Sequence, residues 1–386
     1  MLTILLNALA CLCALLALGG AFYLGLTLVA LRDYTRSRRA AAPDAGLPLP
    51  VSILKPLRGV DRGLYEALRS HCLQQYSAGF ELICGVADPA DPAVALVEKL
   101  QAEFPALRIE TVICPRQLGL NRKVSSLVQM LPHARYEHLI VSDGDIRVSP
   151  LYLQKTMRHF ADPQVGLVTA LYRARHGATL ASRLEALGIG TDFAGGVLCS
   201  RYLAGGLRIG MGSTLAMPRQ VLAAIGGFEP LLNWLADDNA LGARAAAAGY
   251  RVVLSGEAVE TTLPDYGFSA MFAHQMRWAR TVRDLEKLGY LGSIVTFALP
   301  WAILATLFAR GAAAAWGLLL AVILLRGWTA VRLCRLLDDR SSLRELWLLP
   351  LRDSVALGIW LASWCGNSVE WRGERFRVKN GSLQKL

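Results

Sequence analysis

Residues 1–31 contain no Asp, Glu, Lys or Arg, and this run constrains the fold more than any other feature of the chain. A helix needs about 20 apolar residues to cross the hydrocarbon core of a bilayer. A cleaved secretory signal has a basic start and an apolar core of about 7–15 residues, and this run has neither. It therefore predicts a retained amino-terminal anchor, and a mean hydropathy of +0.36 for the whole chain also argues against a wholly water-soluble fold.

A basic segment follows the anchor directly. Four arginines opposed by one aspartate occupy residues 32–39. Since Lys and Arg concentrate on the cytoplasmic side of membrane segments, we expect the amino terminus outside and the following domain in the cytosol. Residues 40–50 are mostly small residues and prolines, which is typical of a linker. The predicted divisions here are an anchor over 1–31 and a basic flank and linker over 32–50.

Three further apolar segments follow the central part of the chain, at residues 288–309, 311–331 and 346–369. The last contains Arg352 and Asp353, so it either spans the bilayer or lies in the interface. Together they form a predicted membrane region over 288–369, followed by a basic tail over 370–386. If all three crossed, the tail would lie outside, although its Lys and Arg residues favour the cytosolic side. An interfacial last segment would remove this conflict.

The formal charge of +11 and the pI of about 9.5 allow nucleic acid as a partner. The basic residues, however, crowd the flanks of the apolar segments and form no stripe interleaved with aromatic side chains. Anionic lipid headgroups explain this distribution better. We therefore predict the lipid bilayer as a partner and no nucleic acid. The eight cysteines form no CxxC pair, which indicates reduced structural thiols.

Short apolar strands alternate with helices through the central domain, which we place at 51–287. The predicted strands are 51–54, 80–87, 108–113 and 138–142, and the predicted helices are 63–75, 92–104 and 121–131. This alternation predicts an α/β fold with a parallel sheet. A strand at 165–171 and a helix at 237–248 follow. The glycine-rich stretch 187–212 fits either a buried helix with a loop or an interfacial segment that lines a lipid entry path.

Asp143-Gly144-Asp145 directly follows the apolar strand 138–142. Open α/β sheets place their ligands at the carboxyl ends of strands. Mg²⁺ or Mn²⁺ binds oxygen ligands, usually one or two carboxylates together with substrate phosphates, and offsets charge on a leaving diphosphate. A lone DxD is more often a solvated turn. Its position after a strand favours a metal site formed by Asp143 and Asp145.

Three more carboxylates stand at element ends. Asp88 follows the strand 80–87, where it is either an Asx turn or helix cap before two prolines or a ligand for a nucleotide. Asp237 and Asp238 begin the helix 237–248, where acidic residues complement the helix dipole. One of them is alternatively a general base that takes a proton from an acceptor hydroxyl. A single base without a carboxylate nucleophile fits an inverting displacement.

A basic and aromatic cluster precedes the second membrane segment, and it reads His274-Gln275-Met276-Arg277-Trp278. Arginine suits bidentate contact with phosphate, although Trp and Arg at a membrane flank also form interfacial anchors. Lys55 and Lys123 add positive charge at loop edges, where each is either a solvated charge or a ligand of the diphosphate. The chain has no GxSxG, HExxH or Walker A motif, which argues against the common hydrolases.

These residues resemble a known family. The order Asp88, Asp143-Gly-Asp145, Asp238 and Arg277-Trp278 is similar to the D, DxD, D, (Q/R)xxRW signature of membrane-bound family 2 and family 21 glycosyltransferases. The segments VSILKPLRGVD, GVADPADPA, NRKVSSL, VSDGDIRV and HQMRWART resemble ceramide glucosyltransferases, and most of all their bacterial relatives that glycosylate hopanoids. The terminal WRGERFRV resembles the tails of such enzymes.

The resemblance implies a GT-A fold on the cytosolic face of a bacterial inner membrane, with one amino-terminal and two to three carboxyl-terminal transmembrane helices. It implies a UDP-sugar donor, Mg²⁺ or Mn²⁺, and a membrane lipid acceptor. The roles it implies are nucleotide binding for Asp88, metal and diphosphate binding for Asp143 and Asp145, base catalysis for Asp238, and contact with the diphosphate and the acceptor for Arg277 and Trp278.

The implied reaction is inverting transfer of a hexose to a lipid hydroxyl. The first choice is N-acetylglucosamine on a hopanoid polyol, and the alternative is glucose on ceramide. A processive polysaccharide synthase and a membrane transporter are remote alternatives. The sequence departs from the signature at the (Q/R) position, which His274 occupies with Gln275 next to it. Asp145 favours the bacterial branch, because the animal ceramide enzymes lack the second acid of the DxD.

Overall fold

The computed structural model describes residues 1–40, 48–371 and 373–385. Most of the predicted linker lies outside the described residues. The strands are β1 (Val51–Pro56), β2 (Phe80–Val86), β3 (Ile109–Ile113), β4 (His138–Val141), β5 (Val165–Thr169), β6 (Tyr172–Arg175), β7 (Leu215–Pro218), β8 (Arg251–Leu254), β9 (Val259–Thr262), β10 (Ser368–Trp371), β11 (Glu374–Lys379) and β12 (Ser382–Lys385).

The helices of the central domain are α2 to α10, and those of the membrane region are α1 and α11 to α15. Their bounds are α1 (Leu2–Ala40), α2 (Leu64–Cys72), α3 (Ala93–Glu103), α4 (Arg122–Met130), α5 (Tyr152–Met157), α6 (Leu180–Gly188), α7 (Ala194–Leu203), α8 (Arg219–Ala224), α9 (Asp237–Ala247), α10 (Phe268–Leu285), α11 (Lys287–Gly292), α12 (Ala298–Phe308), α13 (Ala313–Leu337), α14 (Arg340–Arg344) and α15 (Leu349–Ser363). A π-helical turn at Ile189–Phe193 joins α6 to α7.

Seven strands form the central sheet in the order β3-β2-β1-β4-β7-β5-β8. In the inner strands β1, β2 and β4, neighbouring residues point to opposite faces and are wholly buried, as in the pairs Ile53 and Leu54, Leu82 and Ile83, and Ile140 and Val141. Burying one such side chain contributes about 1.5–3 kcal/mol. Helices cover both faces, which explains why these strands are continuous apolar runs. The predicted α/β fold is confirmed.

The sheet is mixed, whereas the sequence predicted a parallel one. Strand β7 lies antiparallel between β4 and β5. It has four residues and follows directly on the glycine-rich stretch, so its pattern is too short to stand out. Its position matters because its amino end, at Gly212 and Ser213, arrives at the edge where β1, β2 and β4 end.

Helix α1 extends through the basic flank to Ala40 and joins the membrane region to the central domain. Its first part packs on α12, where a Cβ on Gly20 would lie 2.6 Å from the Ala298 Cα atom. Its last part enters the core of the domain through Ala30, Leu31 and Tyr34. The Tyr34 hydroxyl donates a hydrogen bond to the Ser255 carbonyl at 2.7 Å. The anchor therefore also positions the domain.

Three helices of the described chain are long and apolar enough to cross a membrane, at Leu2–Arg38, Ala313–Leu337 and Leu346–Ser363. A further pair, Lys287–Thr296 and Ala298–Phe308, meets the same test together but is bent by 55°. The expected pattern of one amino-terminal and two to three carboxyl-terminal segments is confirmed. Helices α12 and α13 form a hairpin against α1, and Leu333 and Leu337 at the end of α13 pack into the domain core.

Helix α15 contacts the central domain at both of its ends. Before it, Glu345 forms an ion pair with Arg183 of α6. After it, Arg283 of α10 donates to the carbonyls of Ser363 and, at 3.0 Å, Gly366. A helix with both ends on one domain lies along that domain, so these contacts favour the interfacial alternative for this segment.

The basic tail forms a small antiparallel sheet, β10-β11-β12, on the central domain. The backbone N–H of Leu383 donates to the Asn233 carbonyl at 2.7 Å, and that of Leu235 donates to the Gly381 carbonyl at 3.1 Å. Leu235 and Phe376 share a buried apolar cluster. The tail therefore lies on the same side of the membrane as the central domain.

Candidate active site

The Asp143-Gly144-Asp145 turn lies on a buried lysine at the carboxyl end of β4. The Lys55 Nζ atom donates to the Asp143 carbonyl at 2.6 Å and to the Ser142 hydroxyl at 3.1 Å. Burial lowers the pKa of Lys55 to about 8, against the opposing charges of Asp145 and Asp143. Lys55 is wholly buried. Lys55 therefore stabilises the turn through these hydrogen bonds, and the interpretation of Lys55 as a solvated surface charge is wrong.

A single glycine joins Asp143 to Asp238. The Asp143 backbone N–H donates to the Gly212 carbonyl at 3.1 Å, and the Gly212 N–H donates to the Asp238 Oδ2 atom at 2.8 Å. A Cβ at Gly212 would lie 2.6 Å from the Asp143 Oδ2 atom. Two carboxylates that are far apart in sequence thus face one another across residue 212, where a side chain would intrude.

Lys123 forms ion pairs with both Asp143 and Asp237. Its Nζ atom lies 2.8 Å from the Asp143 Oδ1 atom and 3.2 Å from the Asp237 Oδ2 atom. Burial would lower the pKa of Lys123, but the charges of Asp143, Asp237 and Asp238 outweigh it and raise that pKa well above its ordinary value. Lys123 is therefore a fixed positive charge beside Asp143.

Asp237 and Asp238 have different surroundings although they are adjacent. Asp237 is buried, and its Oδ1 atom accepts from the Asn121 amide at 3.2 Å. Asn121 also caps α4 by accepting from the Val124 N–H. The Asp237 carboxylate is thus held between Asn121 and Lys123, which indicates a supporting role for this residue.

Asp238 is partly exposed beside the site. Its Oδ1 atom accepts from its neighbour's backbone N–H, at Asn239, at 2.8 Å. Burial and the nearby Asp237 charge raise the pKa of Asp238 to about 6, with Lys123 opposing. A carboxylate with a pKa near the working pH is suited to accept a proton. Between the two adjacent acids, the geometry favours Asp238 as the general base.

Asp143 and Asp145 fit a cation that is completed by substrate phosphates. The side chain of Asp143 is 40% exposed. Asp145 accepts from the Thr261 hydroxyl, and burial together with the Asp143 charge raises its pKa. Two neighbouring carboxylates repel each other when both are ionised, and a bound cation would offset that repulsion. Over the described ranges, no cluster of three or more His, Cys, Asp or Glu side chains could hold a metal. A cation bound by Asp143 and Asp145 therefore stays a prediction, and it would need substrate phosphates or water to complete its ligands.

Asp88 lies at the carboxyl end of β2, on the same sheet edge but two strands from β4. At the usual strand spacing this corresponds to roughly 10 Å. It is exposed, and its Oδ1 atom accepts from the Ala90 N–H at 2.8 Å. This is the Asx turn expected before a proline-rich helix start. A role in nucleotide binding stays a prediction.

Helix α10 carries the basic and aromatic cluster above the site. Trp278 lies 6.0 Å from Phe193 between ring centroids, and Phe193 lies 5.1 Å from Tyr172. Burial, followed by the charges of Asp238, Asp143 and Asp145, raises the pKa of Tyr172. A line of rings therefore leads from α10 towards the carboxylates. Arg277 is partly exposed on the same helix.

Glu185 of α6 accepts hydrogen bonds from the first two residues of this cluster, His274 and Gln275. The sequence analysis did not single out Glu185. The His274 Nδ1 atom lies 2.5 Å from the Glu185 Oε1 atom, and the Tyr266 hydroxyl donates to the other oxygen. Burial would raise the pKa of Glu185, but hydrogen bonds from His274, Tyr266 and Gln275 lower it. His274 and Gln275 thus bind the same carboxylate, and whether His274 or Gln275 takes the role of the signature's Gln or Arg stays a prediction.

The sequence profile of Glycosyl transferase family 21 matches residues 12–384. The chain belongs to glycosyl transferase family 21. This family 21 chain is 27% identical to ceramide glucosyltransferase 1 of Caenorhabditis elegans over 250 residues, which are 63% of the chain and 52% of that protein. It is 26% identical to ceramide glucosyltransferase 3 of the same organism over 241 residues, which are 61% and 51% of the two chains. The chain thus spans about half the length of these curated relatives.

A solved structure supports the fold. The family 21 chain aligns with a mannosyltransferase from Pyrobaculum calidifontis, solved with GDP-Man and Mn²⁺, at a TM-score of 0.54 and 18% identity. The alignment covers 93% of this chain and 98% of that one. At this identity the likeness establishes the shared GT-A fold.

Proposed function

We propose that this family 21 chain transfers a hexose from a UDP-sugar to the hydroxyl of a neutral membrane lipid with inversion. The observation that carries this proposal is the pairing of Asp143 and Asp238 through Gly212, at the carboxyl edge of the sheet. Ceramide glucosyltransferase relatives favour glucose and ceramide as the substrates. The relatives thus favour glucose and ceramide over N-acetylglucosamine and a hopanoid, the pair that the sequence motifs suggested.

Asp238 acts as the base in this reaction. Its carboxylate takes the proton of the acceptor hydroxyl while that oxygen attacks the anomeric carbon of the sugar. The bond from the anomeric carbon to the diphosphate breaks in the same step, and UDP leaves with the bonding electrons. One displacement on the face opposite the leaving group inverts the anomeric centre, and no carboxylate nucleophile is required.

Positive charge beside the leaving group lowers the barrier to its departure. Lys123 supplies a fixed charge next to Asp143, and Arg277 and Trp278 on α10 bind the diphosphate and the acceptor end. A divalent cation held by Asp143 and Asp145 would offset diphosphate charge. Asp88 binds the nucleotide from the neighbouring part of the sheet edge. The reaction takes place at the cytosolic face of a bacterial inner membrane.

The test is a donor and acceptor matrix with the full-length protein purified in detergent. UDP-glucose and UDP-N-acetylglucosamine are each combined with ceramide and with a hopanoid polyol, with Mg²⁺ or Mn²⁺, and products are identified by mass spectrometry. We expect UDP release that depends on the lipid, and a lipid carrying one sugar. A product with a ladder of sugars would indicate a processive synthase, and no glycolipid in any arm would refute the proposal.

A further inference from the structure

A cavity of about 590 Å³ lies between the central domain and the membrane helices. The π-helical turn at Ile189–Phe193 and helix α7 form one wall, and α1, α10, α11 and α15 form the others. Apolar side chains such as Leu24, Phe297 and Ile359 line part of it. Since α1 and α13, which contributes Arg326, are membrane helices, this cavity lies where a lipid could enter from the bilayer.

Four charged side chains from the π-helical turn, α13 and α15 form a chain of ion pairs along the cavity. Arg326 binds Asp353 with two atoms, each at 2.9 Å, and its Nη2 atom also lies 2.5 Å from the Asp192 Oδ1 atom. Arg352 reaches the other oxygen of Asp192 at 3.1 Å. Such a network costs desolvation energy within the membrane region. Its presence there points to a function for the wall.

Two features indicate that the network faces a ligand. The Asp192 side chain is 37% exposed, while the side chains of Arg326 and Asp353 are 6% and 8% exposed. In addition, Asp192 lies in a π-helical turn, and such turns occur frequently at functional sites.

The charges on this wall argue for an uncharged ligand. Both arginines are already paired with aspartates, and Glu286 adds a further acidic group to the lining. The charged lining residues are thus three acids and two arginines, so there is no excess positive charge to bind a phosphate. Carboxylate oxygens and a guanidinium N–H can instead exchange hydrogen bonds with hydroxyl and amide groups.

The cavity is also lined by side chains that pack towards the reaction site. Trp278 lines it and stands at the end of the ring series that leads through Phe193 to Tyr172. Gln275, which binds Glu185, lines it as well. A lipid whose head group lay against Asp192 would therefore be next to the helix that carries the basic cluster.

We infer that this cavity is the acceptor site, and that Asp192, held by Arg326 and Arg352, recognises the hydroxyl or amide groups of an uncharged lipid. This inference rests on the proposed function and adds the site and its selectivity. Gly188 is part of the arrangement, because a Cβ there would lie 2.2 Å from the Arg352 Nη2 atom.

The experiment compares the lipid and donor KM values of three full-length variants. Gly196→Leu fills the cavity without removing an ion pair, since a Cβ at Gly196 has only the Tyr23 hydroxyl near it, at 3.8 Å. Asp192→Asn removes the exposed charge. Gly317→Leu is the matched control, because Gly317 is an exposed helical glycine with nothing within 4 Å of a Cβ.

We expect the first two variants to raise the KM for the lipid by about tenfold or more, with the KM for the UDP-sugar unchanged and Gly317→Leu like wild type. An unchanged lipid KM in both Gly196→Leu and Asp192→Asn would overturn the inference, provided that wild type forms glycolipid. If wild type forms none, the proposed function fails instead.

Competition experiments decide the ligand class with the wild-type protein. Ceramide and a hopanoid polyol are compared as competitors with a polyprenyl phosphate. Stronger competition by either uncharged lipid supports the inference and identifies the source. Competition by the polyprenyl phosphate that equals or exceeds both would contradict it.

Discussion

Asp237 and Asp238 illustrate how neighbouring residues of one type acquire different roles. The sequence presents two acids at a helix start, which the helix dipole alone would explain. Only tertiary contacts separate them, because Asp237 is enclosed by Asn121 and Lys123 while Asp238 faces Gly212. The carboxylates at strand ends were predictable. Their partners were not, because those contacts join residues more than 25 positions apart.

The raised pKa of Asp238 predicts the pH dependence of the reaction. A base must be unprotonated, so kcat/KM should rise with pH and reach half of its maximum near pH 6, the value at which Asp238 loses its proton. Asp238→Asn should lower kcat by about 10²–10⁴-fold and abolish this limb. A pH–rate profile of both proteins checks this. An unchanged acid limb in Asp238→Asn would assign the titration to another group.

Gly212 offers a test of the geometry that changes no charged group. In Gly212→Ala the new methyl group would crowd the Asp143 carboxylate, so we expect kcat/KM to fall at least about tenfold with the fold retained. Gly206→Ala is the control, because that glycine lies in the same loop and has open space around a Cβ. Equal activities for the two variants would show that the close approach at Gly212 is not needed.

At the scale of elements, long apolar patterns were predictable and short ones were not. The first four strands and the helices between them follow from runs bounded by turn residues. Strand β7 escaped because it has four residues beside a glycine-rich loop. The stretch 187–212 contains buried helical segments, and part of it lines the cavity, while its role as a lipid entry path stays a prediction. Its π-helical turn has no sequence signal of its own.

The position of α15 leads to a labelling prediction. Since Arg183 and Arg283 hold its two ends on one domain, both ends should react from the same side of sealed vesicles. Arg344→Cys precedes the helix and the exposed native Cys365 follows it. In a protein that also carries Cys11→Ser, a membrane-impermeant thiol reagent should label the cysteine at position 344 and Cys365 from the side on which the central domain lies.

A cysteine at Arg310, in the turn between α12 and α13, serves as the opposite control for this experiment. We expect it to be labelled only from the other side. If Arg344→Cys and Cys365 reacted from different sides, α15 would cross the bilayer, and the tail could not contact the domain as described.

At the scale of the whole molecule, the carboxyl-terminal tail packs back onto the central domain. Residues before Asp237 pair with the tail, through Asn233 and Leu235, and Asp284 at the end of α10 accepts from the Gly381 N–H at 2.6 Å. The sequence indicated a basic tail and its preferred side. It could not indicate that this segment is a sheet bound next to the active site, because that depends on contacts about 150 residues apart.

Loss of the tail sheet should therefore weaken both stability and catalysis. Phe376 is buried in the cluster that includes Leu235, and removing a buried Phe side chain costs about 3–5 kcal/mol. Phe376→Ala should lower the thermal unfolding midpoint in detergent. It should also lower kcat more than it changes the donor KM, because the backbone leading to Asp238 loses its support. Arg375→Ala, an exposed neighbour on the same strand, should change neither quantity. Full activity in a Phe376→Ala protein with a lowered midpoint would mean that the tail stabilises the fold without positioning the base.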